Sequence, residues 1–233
     1  MTDYVFPPRA PVAVEIAGDR ARFPVNRIYC VGRNYAEHIR EMGRDLREPP
    51  FFFMKPADAI VANGAEVPYP MRTSNFHHEI ELVVAIGTGG SRISPERSLE
   101  NVFGYAVGND YTRRDLQLEM RDKGRPWETG KSCSAAISAI HRVAEVGHLE
   151  RAAIWLDVNG TRRQQSNVSE LIWNVAEVIA ELSTLFELVP GDLVYTGTPA
   201  GVGAVRVGDV VTGGIDGLDR LENRIGPSRG PAS

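Results

Sequence analysis

Apolar residues along the chain fall mainly into short runs that are bounded by glycine or proline. Runs of roughly four to eight such residues are typical of buried strands, because a strand covered on both faces needs no polar alternation. Six segments have this pattern: residues 27–31, 51–54, 80–86, 102–107, 193–196 and 209–212. A further run, residues 154–158, leads into Asn159-Gly160, a hairpin turn that predicts a returning strand over residues 161–165.

Helical periodicity is confined to fewer segments. Apolar residues spaced by three and four predict one helix over about residues 168–187, packed on the core through Leu171, Val175, Ile179, Leu182 and Phe186. Thr112 and Asp115 have the spacing of a capping box, which predicts a helix that Gly124 ends. Strands outnumber helices, so we expect a β-rich α+β fold with a few peripheral helices on a mostly antiparallel set of strands.

The length and composition indicate one folded domain. The chain has 233 residues, of which 42% are hydrophobic and 24% charged, and this excludes a disordered or fibrous protein. Residues 1–26 predict an arm or small hairpin, residues 27–225 a single catalytic domain, and residues 226–233 a frayed tail rich in Gly, Pro and Ser.

Charge and apolar content narrow the possible partners. The net charge of −4 argues against nucleic acid, since such domains usually have a basic excess. No apolar run reaches the roughly 18 residues of a membrane span, and the N-terminal residues lack a secretory signal. Cys30 and Cys133 cannot form a disulfide framework. We therefore expect a cytoplasmic protein that binds neither nucleic acid nor a membrane.

Three acidic residues form the strongest candidate for a metal site. Glu79 and Glu81 occupy alternate positions of a strand that continues into an apolar run, so both side chains point to one face. Asp110 lies between a strand and a helix, where it can meet that face. Three carboxylates suit Mg²⁺ or Mn²⁺ rather than zinc. The pattern also allows a solvent-facing strand edge without a metal.

A histidine-based metal site is the second interpretation. His77 and Glu79, together with a distant His141 or His148, would give the two histidines and one carboxylate of a non-haem Fe(II) centre. Neighbouring His77 and His78 point to opposite faces of a strand, so at least one of them is expected to be structural.

His38 and Glu41 are three residues apart in a short helix expected over residues 35–42. A carboxylate beside an imidazole fixes its tautomer and raises its basicity, which a water-activating base requires. An ordinary charged surface helix is the alternative.

Two further polar segments can contact a substrate. Arg114 and Gln117 share a face of the helix after Asp110, where the guanidinium can clamp a carboxylate, although a solvated face has the same pattern. The Gly/Thr-rich turn at residues 195–203 has backbone N–H groups that can hold a carboxylate.

Lysine is rare in this chain. Of the 26 basic residues only Lys55, Lys123 and Lys131 are lysines, and the others are arginines. Arginine replaces lysine easily on a solvated surface but not where a compact ammonium must fit, so the lysines are enriched for sites that require one.

Five segments, taken in order, resemble the fumarylacetoacetate hydrolase family: VGRNYAEHIREM (31–42), FMKP (53–56), HHEIEL (77–82), GNDYTRRD (108–115) and TGTPAGVG (196–203). The resemblance implies a mixed β-roll, a homodimer and Mg²⁺- or Mn²⁺-dependent chemistry on diketo acids. Residues 4–8 and 50–56 are most similar to members that hydrolyse fumarylpyruvate to fumarate and pyruvate in gentisate-type aromatic degradation. Residues 132–138, after Lys131, depart from the family pattern.

The resemblance also implies roles for individual residues. The matching positions are the metal ligands Glu79, Glu81 and Asp110, the water-activating pair His38 and Glu41, the catalytic Lys131, and the substrate-contacting Arg114, Gln117 and Thr198. In the implied reaction His38 deprotonates a water that attacks the 4-carbonyl of a 2,4-dioxo acid, and Lys131 or Gln117 donates to the oxyanion.

The same scaffold implies alternative activities. One is an oxaloacetate decarboxylase, and another is an isomerase or decarboxylase of a homoprotocatechuate-type pathway. A non-catalytic binding protein is disfavoured, because His38, Glu41 and all three carboxylates are present.

Overall fold

The computed structural model describes residues 3–35 and 48–228, and strands dominate this part of the chain. The strands are β1 Ala13–Glu15, β2 Arg22–Pro24, β3 Ile28–Gly32, β4 Phe51–Lys55, β5 Ile60–Ala62, β6 Glu66–Pro68, β7 Phe76–His78, β8 Ile80–Ile86, β9 Val102–Asp110, β10 Thr112–Arg113, β11 Ala135–Ile137, β12 His141–Arg142, β13 Ala153–Val158, β14 Thr161–Asn167, β15 Leu193–Tyr195, β16 Gly203–Ala204, β17 Val210–Ile215 and β18 Leu221–Gly226.

The helices of the described residues are short and peripheral, apart from two that run for nine and eleven residues. The α-helices are α1 Pro95–Ser98, α2 Arg114–Asp122, α3 Glu128–Lys131, α4 Val143–Val146 and α5 Val175–Leu185, and 3₁₀ turns cover Ala57–Ala59, Leu99–Asn101 and Val168–Glu170. The predicted β-rich α+β fold is confirmed. None of these helices has the length and apolar character needed to cross a membrane.

The strands form sheets of eight, five, three and two members. The central sheet has the order β4-β3-β15-β8-β9-β11-β5, with β12 beside β9, and the five-stranded sheet has the order β14-β13-β17-β18-β6. Strands β10, β7 and β16 form the small sheet, and β1 and β2 form an antiparallel hairpin. Most pairs are antiparallel as predicted, and β3–β15, β5–β11 and β6–β18 are parallel.

Strand β8 is buried on both faces, which explains its continuous apolar sequence. Leu82 and Val84 face a core cluster shared with the five-stranded sheet and α5. Val83 and Ala85 face a second cluster, shared with the β1–β2 hairpin. Glu81 has the parity of Val83 and lies near the start of the strand, so the sheet carries a carboxylate into its interior.

The helix predicted over residues 168–187 is shorter in the structure. A 3₁₀ turn covers Val168–Glu170, and the α-helix begins only at Val175. The Asn174 side chain accepts from Glu177 N, and the Glu177 side chain accepts from Asn174 N, a capping box that starts the helix there. Leu171, which the prediction placed on the helix, is buried in the extended segment before it.

The predicted capping box of Thr112 and Asp115 is not formed. Helix α2 begins at Arg114, and the Thr112 hydroxyl donates to the Asp110 carbonyl. Asp115 instead accepts from the Thr73 hydroxyl at 2.6 Å and fixes the preceding loop. The short helix expected over residues 35–42, with His38 and Glu41, and residues 229–233 of the expected tail lie outside the described residues.

Candidate active site

Glu79, Glu81 and Asp110 converge because β8 and β9 are antiparallel neighbours. Asp110 N donates to the Glu79 carbonyl at 2.8 Å, and Glu79 N donates to the Asn109 side chain at 2.7 Å. Carboxylate oxygens of the three acids lie within 4.8 Å of one another, and all three residues are buried. The alternative of a solvent-facing strand edge is therefore excluded.

Lys131 lies against two of the three carboxylates. Its Nζ is 2.6 Å from Glu79 Oε2 and 2.8 Å from Asp110 Oδ2, and it donates to Thr112 Oγ1 at 2.8 Å. Burial disfavours the ammonium, but the charges of Asp110 and Glu79 outweigh burial and raise the pKa of Lys131. The residue is thus a charged donor at the centre of the site.

Lys55 holds Asp110 from the opposite side. Its Nζ is 2.7 Å from Asp110 Oδ1, and the side chain is completely buried. The same ammonium donates to the main-chain carbonyls of Tyr111 at 2.9 Å and Cys133 at 3.0 Å, and also to that of Lys131. Lys55 therefore joins the end of β9 to the segment that carries Lys131. The scarcity of lysine singled it out and the FMKP motif contains it, but the sequence assigned it no role in the site.

Arg114 and Gln117 extend the site along α2. The Arg114 guanidinium pairs with Glu79 and donates through Nη1 to Gln117 Oε1 at 2.7 Å. Gln117 is buried, and its carbonyl oxygen is occupied by Arg114, so its amide hydrogens remain for a ligand. Burial disfavours the charged form of Glu79, but Lys131 and Arg114 outweigh this and hold its pKa below the usual range.

Glu81 differs from the other two acids in its partners. Gly197 N donates to Glu81 Oε2 at 2.8 Å, and no cationic side chain of residues 3–35 and 48–228 forms an ion pair with it. Burial and the negative charges of Asp110 and Glu79 raise the pKa of Glu81 well above its usual value. A buried, uncompensated carboxylate beside two others fits a divalent cation with oxygen ligands.

The Gly/Thr-rich turn after β15 forms another wall of the site. Gly197 has φ 104°, which favours glycine, and its N–H holds a carboxylate, as expected for this turn; the carboxylate is that of Glu81. Thr198 follows it and lines the cavity. The open space is about 110 Å³, and its lining includes Arg33, Phe53, Arg114, Gln117, Arg121, Trp127, Lys131, Thr198 and the three acids.

The histidines of the described residues do not join the carboxylates in a metal site. The candidate ligand group contains only Glu79, Glu81 and Asp110. The Fe(II) interpretation is therefore not supported by their positions. The four imidazoles bond elsewhere: His77 to Asn75, His78 to Gln164, His141 to Asp219 and His148 to Tyr105.

The sequence predicted nine site residues. Seven of them lie in the part of the chain that the structure describes, and all seven line this cavity. His38 and Glu41 lie outside the described residues. The buried Lys55 and Gln164 were missed as site components. Gln164 stands in a run of polar residues that resembles an exposed strand, so no local pattern distinguishes it.

The chain is similar to proteins of known sequence and structure. A fumarylpyruvate hydrolase of Ralstonia sp. is 51% identical over 191 residues, which cover 80% of this chain and 100% of that relative. The mitochondrial oxaloacetate tautomerase of Rattus norvegicus is 38% identical over 204 residues, covering 87% and 92%.

A crystal structure of the fumarylpyruvate hydrolase from Pseudomonas aeruginosa, in complex with Mn²⁺ and pyruvate, superimposes with a TM-score of 0.94. It is 55% identical, and the match covers 97% of this chain and 100% of that one. The family model for the fumarylacetoacetate (FAA) hydrolase C-terminal region matches residues 27–226. The chain therefore belongs to the fumarylacetoacetate hydrolase family.

Proposed function

We propose that this protein is a metal-dependent hydrolase that cleaves fumarylpyruvate to fumarate and pyruvate. The observation that carries the proposal is the convergence of three buried carboxylates with Arg114, Gln117, Lys131 and Thr198 in one cavity. The similarity to fumarylpyruvate hydrolases over most of the chain supports it, as does the Mn²⁺ and pyruvate named for one of them.

The charges at the site favour a substrate with two negative charges. The carboxylates of Glu79, Glu81 and Asp110 face the cationic Lys55, Arg114 and Lys131. These charges are equal in number, and Arg33 and Arg121 also line the cavity, so a bound divalent cation leaves an excess of positive charge among the described residues. Fumarylpyruvate, with two carboxylates, suits that excess better than acetylpyruvate, which has one.

Different residues of the site would bind the metal ion, bind the substrate and stabilise the oxyanion. Glu79, Glu81 and Asp110 would hold Mg²⁺ or Mn²⁺, which when bound supplies Lewis-acid stabilisation of negative charge on substrate oxygens. Arg114 and the Gln117 amide would bind and orient the pyruvyl half of the substrate. Lys131, whose ammonium lines the cavity, would stabilise by its positive charge the oxyanion that forms when water attacks the 4-carbonyl.

We propose that His38 takes a proton from the attacking water and that Glu41 orients its imidazole. The described residues before this pair support the assignment. Val31, Gly32 and Arg33 line the cavity and precede His38 by five to seven residues in the sequence.

A substrate panel tests the proposal. The purified protein is freed of metal with EDTA, reloaded with Mg²⁺ or Mn²⁺, and assayed with fumarylpyruvate, acetylpyruvate and oxaloacetate for pyruvate, fumarate and CO₂. We expect fumarylpyruvate to be the best substrate and to give equal amounts of pyruvate and fumarate without CO₂. Full activity in excess EDTA, or faster turnover of oxaloacetate than of fumarylpyruvate, would refute it.

A tautomerase or decarboxylase acting on oxaloacetate is the second candidate, favoured by the 38% identity to an oxaloacetate tautomerase. It would need the carboxylates but not an activated water, so His38→Ala would leave it largely intact. The expected homodimer, cytoplasmic location and place in aromatic degradation stay predictions, and analytical ultracentrifugation tests the first.

A further inference from the structure

Gln164 is a buried amide from a different sheet that reaches the wall of the site. It lies on β14, the edge strand of the five-stranded sheet, and 1% of its surface is exposed although its neighbours on both sides are exposed. Its side chain bridges two segments of the site, the start of β8 and the turn after β15. A buried polar side chain on an otherwise exposed strand needs a reason for its position.

Two main-chain groups fix which way this amide points. Ile80 N–H, which can only donate, lies 3.1 Å from Gln164 Oε1. The Pro199 carbonyl, which can only accept, lies 2.9 Å from Gln164 Nε2. Since neither group can reverse its role, the oxygen and nitrogen of the amide cannot exchange places without the loss of both bonds.

The fixed amide sets the role of the Thr198 hydroxyl. The second hydrogen of Gln164 Nε2 points to Thr198 Oγ1 at 2.8 Å, so this oxygen accepts from the amide. The hydroxyl hydrogen of Thr198 must therefore be donated to another partner, and the described residues provide none through a hydrogen bond. Thr198 lines the cavity that holds the carboxylates, so a ligand oxygen bound there is a suitable acceptor.

We infer that Gln164 is a positioning residue that makes the Thr198 hydroxyl a dedicated donor to an anionic oxygen of the substrate. The inference rests on the proposed function, because it takes the cavity to hold an oxo acid. Without the amide, the hydroxyl could rotate and donate to the Pro199 carbonyl, and it would then present only lone pairs to the anion.

The test measures pyruvate binding to the Mn²⁺-loaded protein by calorimetry, with the Mn²⁺ affinity measured separately. Thr198→Val, which keeps the shape but removes the hydroxyl, is expected to weaken pyruvate binding roughly tenfold, as for the loss of one hydrogen bond to a charged group. Thr198→Ser is expected to bind like the wild type. Gln164→Met is expected to weaken pyruvate binding severalfold, and its exposed neighbour Gln165→Met is the matched control without effect.

The double variant Gln164→Met/Thr198→Val decides whether Gln164 acts through Thr198. We expect it to bind pyruvate no more weakly than Thr198→Val alone, with Mn²⁺ affinity unchanged and KM raised more than kcat is lowered. The inference would be overturned if the affinity losses of the two single variants multiplied in the double variant, or if Gln164→Met bound pyruvate as tightly as the wild type.

Two further experimental outcomes can be distinguished from a failure of this inference. If Gln164→Met fails to fold, Gln164→Glu keeps the acceptor for Ile80 N–H and lacks the fixed donor to Thr198, and the same loss of pyruvate affinity is expected. A wild-type protein that binds Mn²⁺ but no pyruvate would contradict the proposed function itself, whereas tight pyruvate binding that is indifferent to Gln164 contradicts only this inference.

Discussion

At the scale of single residues, two glutamates of the site lie in opposite electrostatic environments. Glu79 has two cationic partners, Lys131 and Arg114, whereas Glu81 has a main-chain N–H and two neighbouring negative charges. The first carboxylate stabilises the folded protein in its charged form. The second, when charged, costs stability unless a cation binds. Function and stability therefore conflict at Glu81.

We predict opposite stability changes for the two acids. The pKa of Glu81 is raised in the folded state, so its charged form costs stability above its unfolded pKa, and Glu81→Gln should raise the melting temperature of the metal-free protein at pH 7. The pKa of Glu79 is lowered, so Glu79→Gln should destabilise, by ~3 kcal/mol for a broken buried pair. Thermal denaturation in EDTA measures both, and a loss of stability in Glu81→Gln as large as in Glu79→Gln would contradict the assignment.

A second prediction at this scale contrasts Lys131, the last residue of α3, with Lys123, which directly follows α2. Lys131 is enclosed by Glu79, Asp110 and Thr112, so Lys131→Arg should lose most activity although the charge is kept, because the larger guanidinium does not fit. Lys123 is half exposed and, among the described residues, pairs with Glu119 one turn away, so Lys123→Arg should be nearly neutral. Steady-state kinetics on both variants test this, and equal tolerance at the two positions would count against a packed donor role.

At the scale of elements, the site depends on the close approach of α2 and α3. A Cβ on Gly130 would lie 2.7 Å from Gln117 N and 2.8 Å from Gln117 Cα, so only glycine lets the helices meet there. Gly130 immediately precedes Lys131, and this contact therefore brings the lysine beside Gln117. Asp115, in the same first turn of α2 as Gln117, anchors this end of the helix by accepting from the Thr73 hydroxyl and Ser74 N.

We expect Gly130→Ala to separate the two helices. The contact is with backbone atoms, which cannot move aside as a side chain would, so the cost should be ~1–3 kcal/mol and Lys131 should shift from the carboxylates. The matched control is Gly90→Ala, whose Cβ would meet only the flexible Ile93 side chain at 3.2 Å. Melting temperature and kcat together test the idea, which fails if Gly130→Ala retains the wild-type kcat.

At the scale of the whole molecule, the site lies where three sheets meet. The central sheet supplies Asp110 and Glu81, the small sheet ends just before Glu79, and the five-stranded sheet supplies Gln164. A cation held by the three carboxylates would connect the central sheet to Glu79 at the end of the small sheet, and it would bind the folded chain far better than the unfolded one. Metal binding should therefore stabilise the entire fold.

We predict that Mn²⁺ at about 100 times its dissociation constant adds ~2.7 kcal/mol to the unfolding free energy. For a domain of this size that corresponds to roughly 5–10 °C in melting temperature. EDTA should reverse the shift, and Glu81→Gln should abolish most of it. A shift of the same size in Glu81→Gln would place the cation elsewhere.

Several features of the site follow from local order along the chain. Alternation put Glu79 and Glu81 on one face, and the largely apolar run of β8 predicted a strand that enters the core. The helix at residues 168–187 was overextended, because a capping box at Asn174 decides the boundary and periodicity does not.

How the charges and hydrogen bonds of the site are paired depends instead on the packing of segments that are distant in sequence. Lys55 is bound to carbonyls 56 to 78 residues away, and Gln164 to Ile80 across 84 residues. No local pattern encodes such partners, since they are set by which strands and turns pack together. Within residues 3–35 and 48–228, the lack of a cationic side chain paired with Glu81, which makes the site fit a metal ion, likewise depends on how the chain folds.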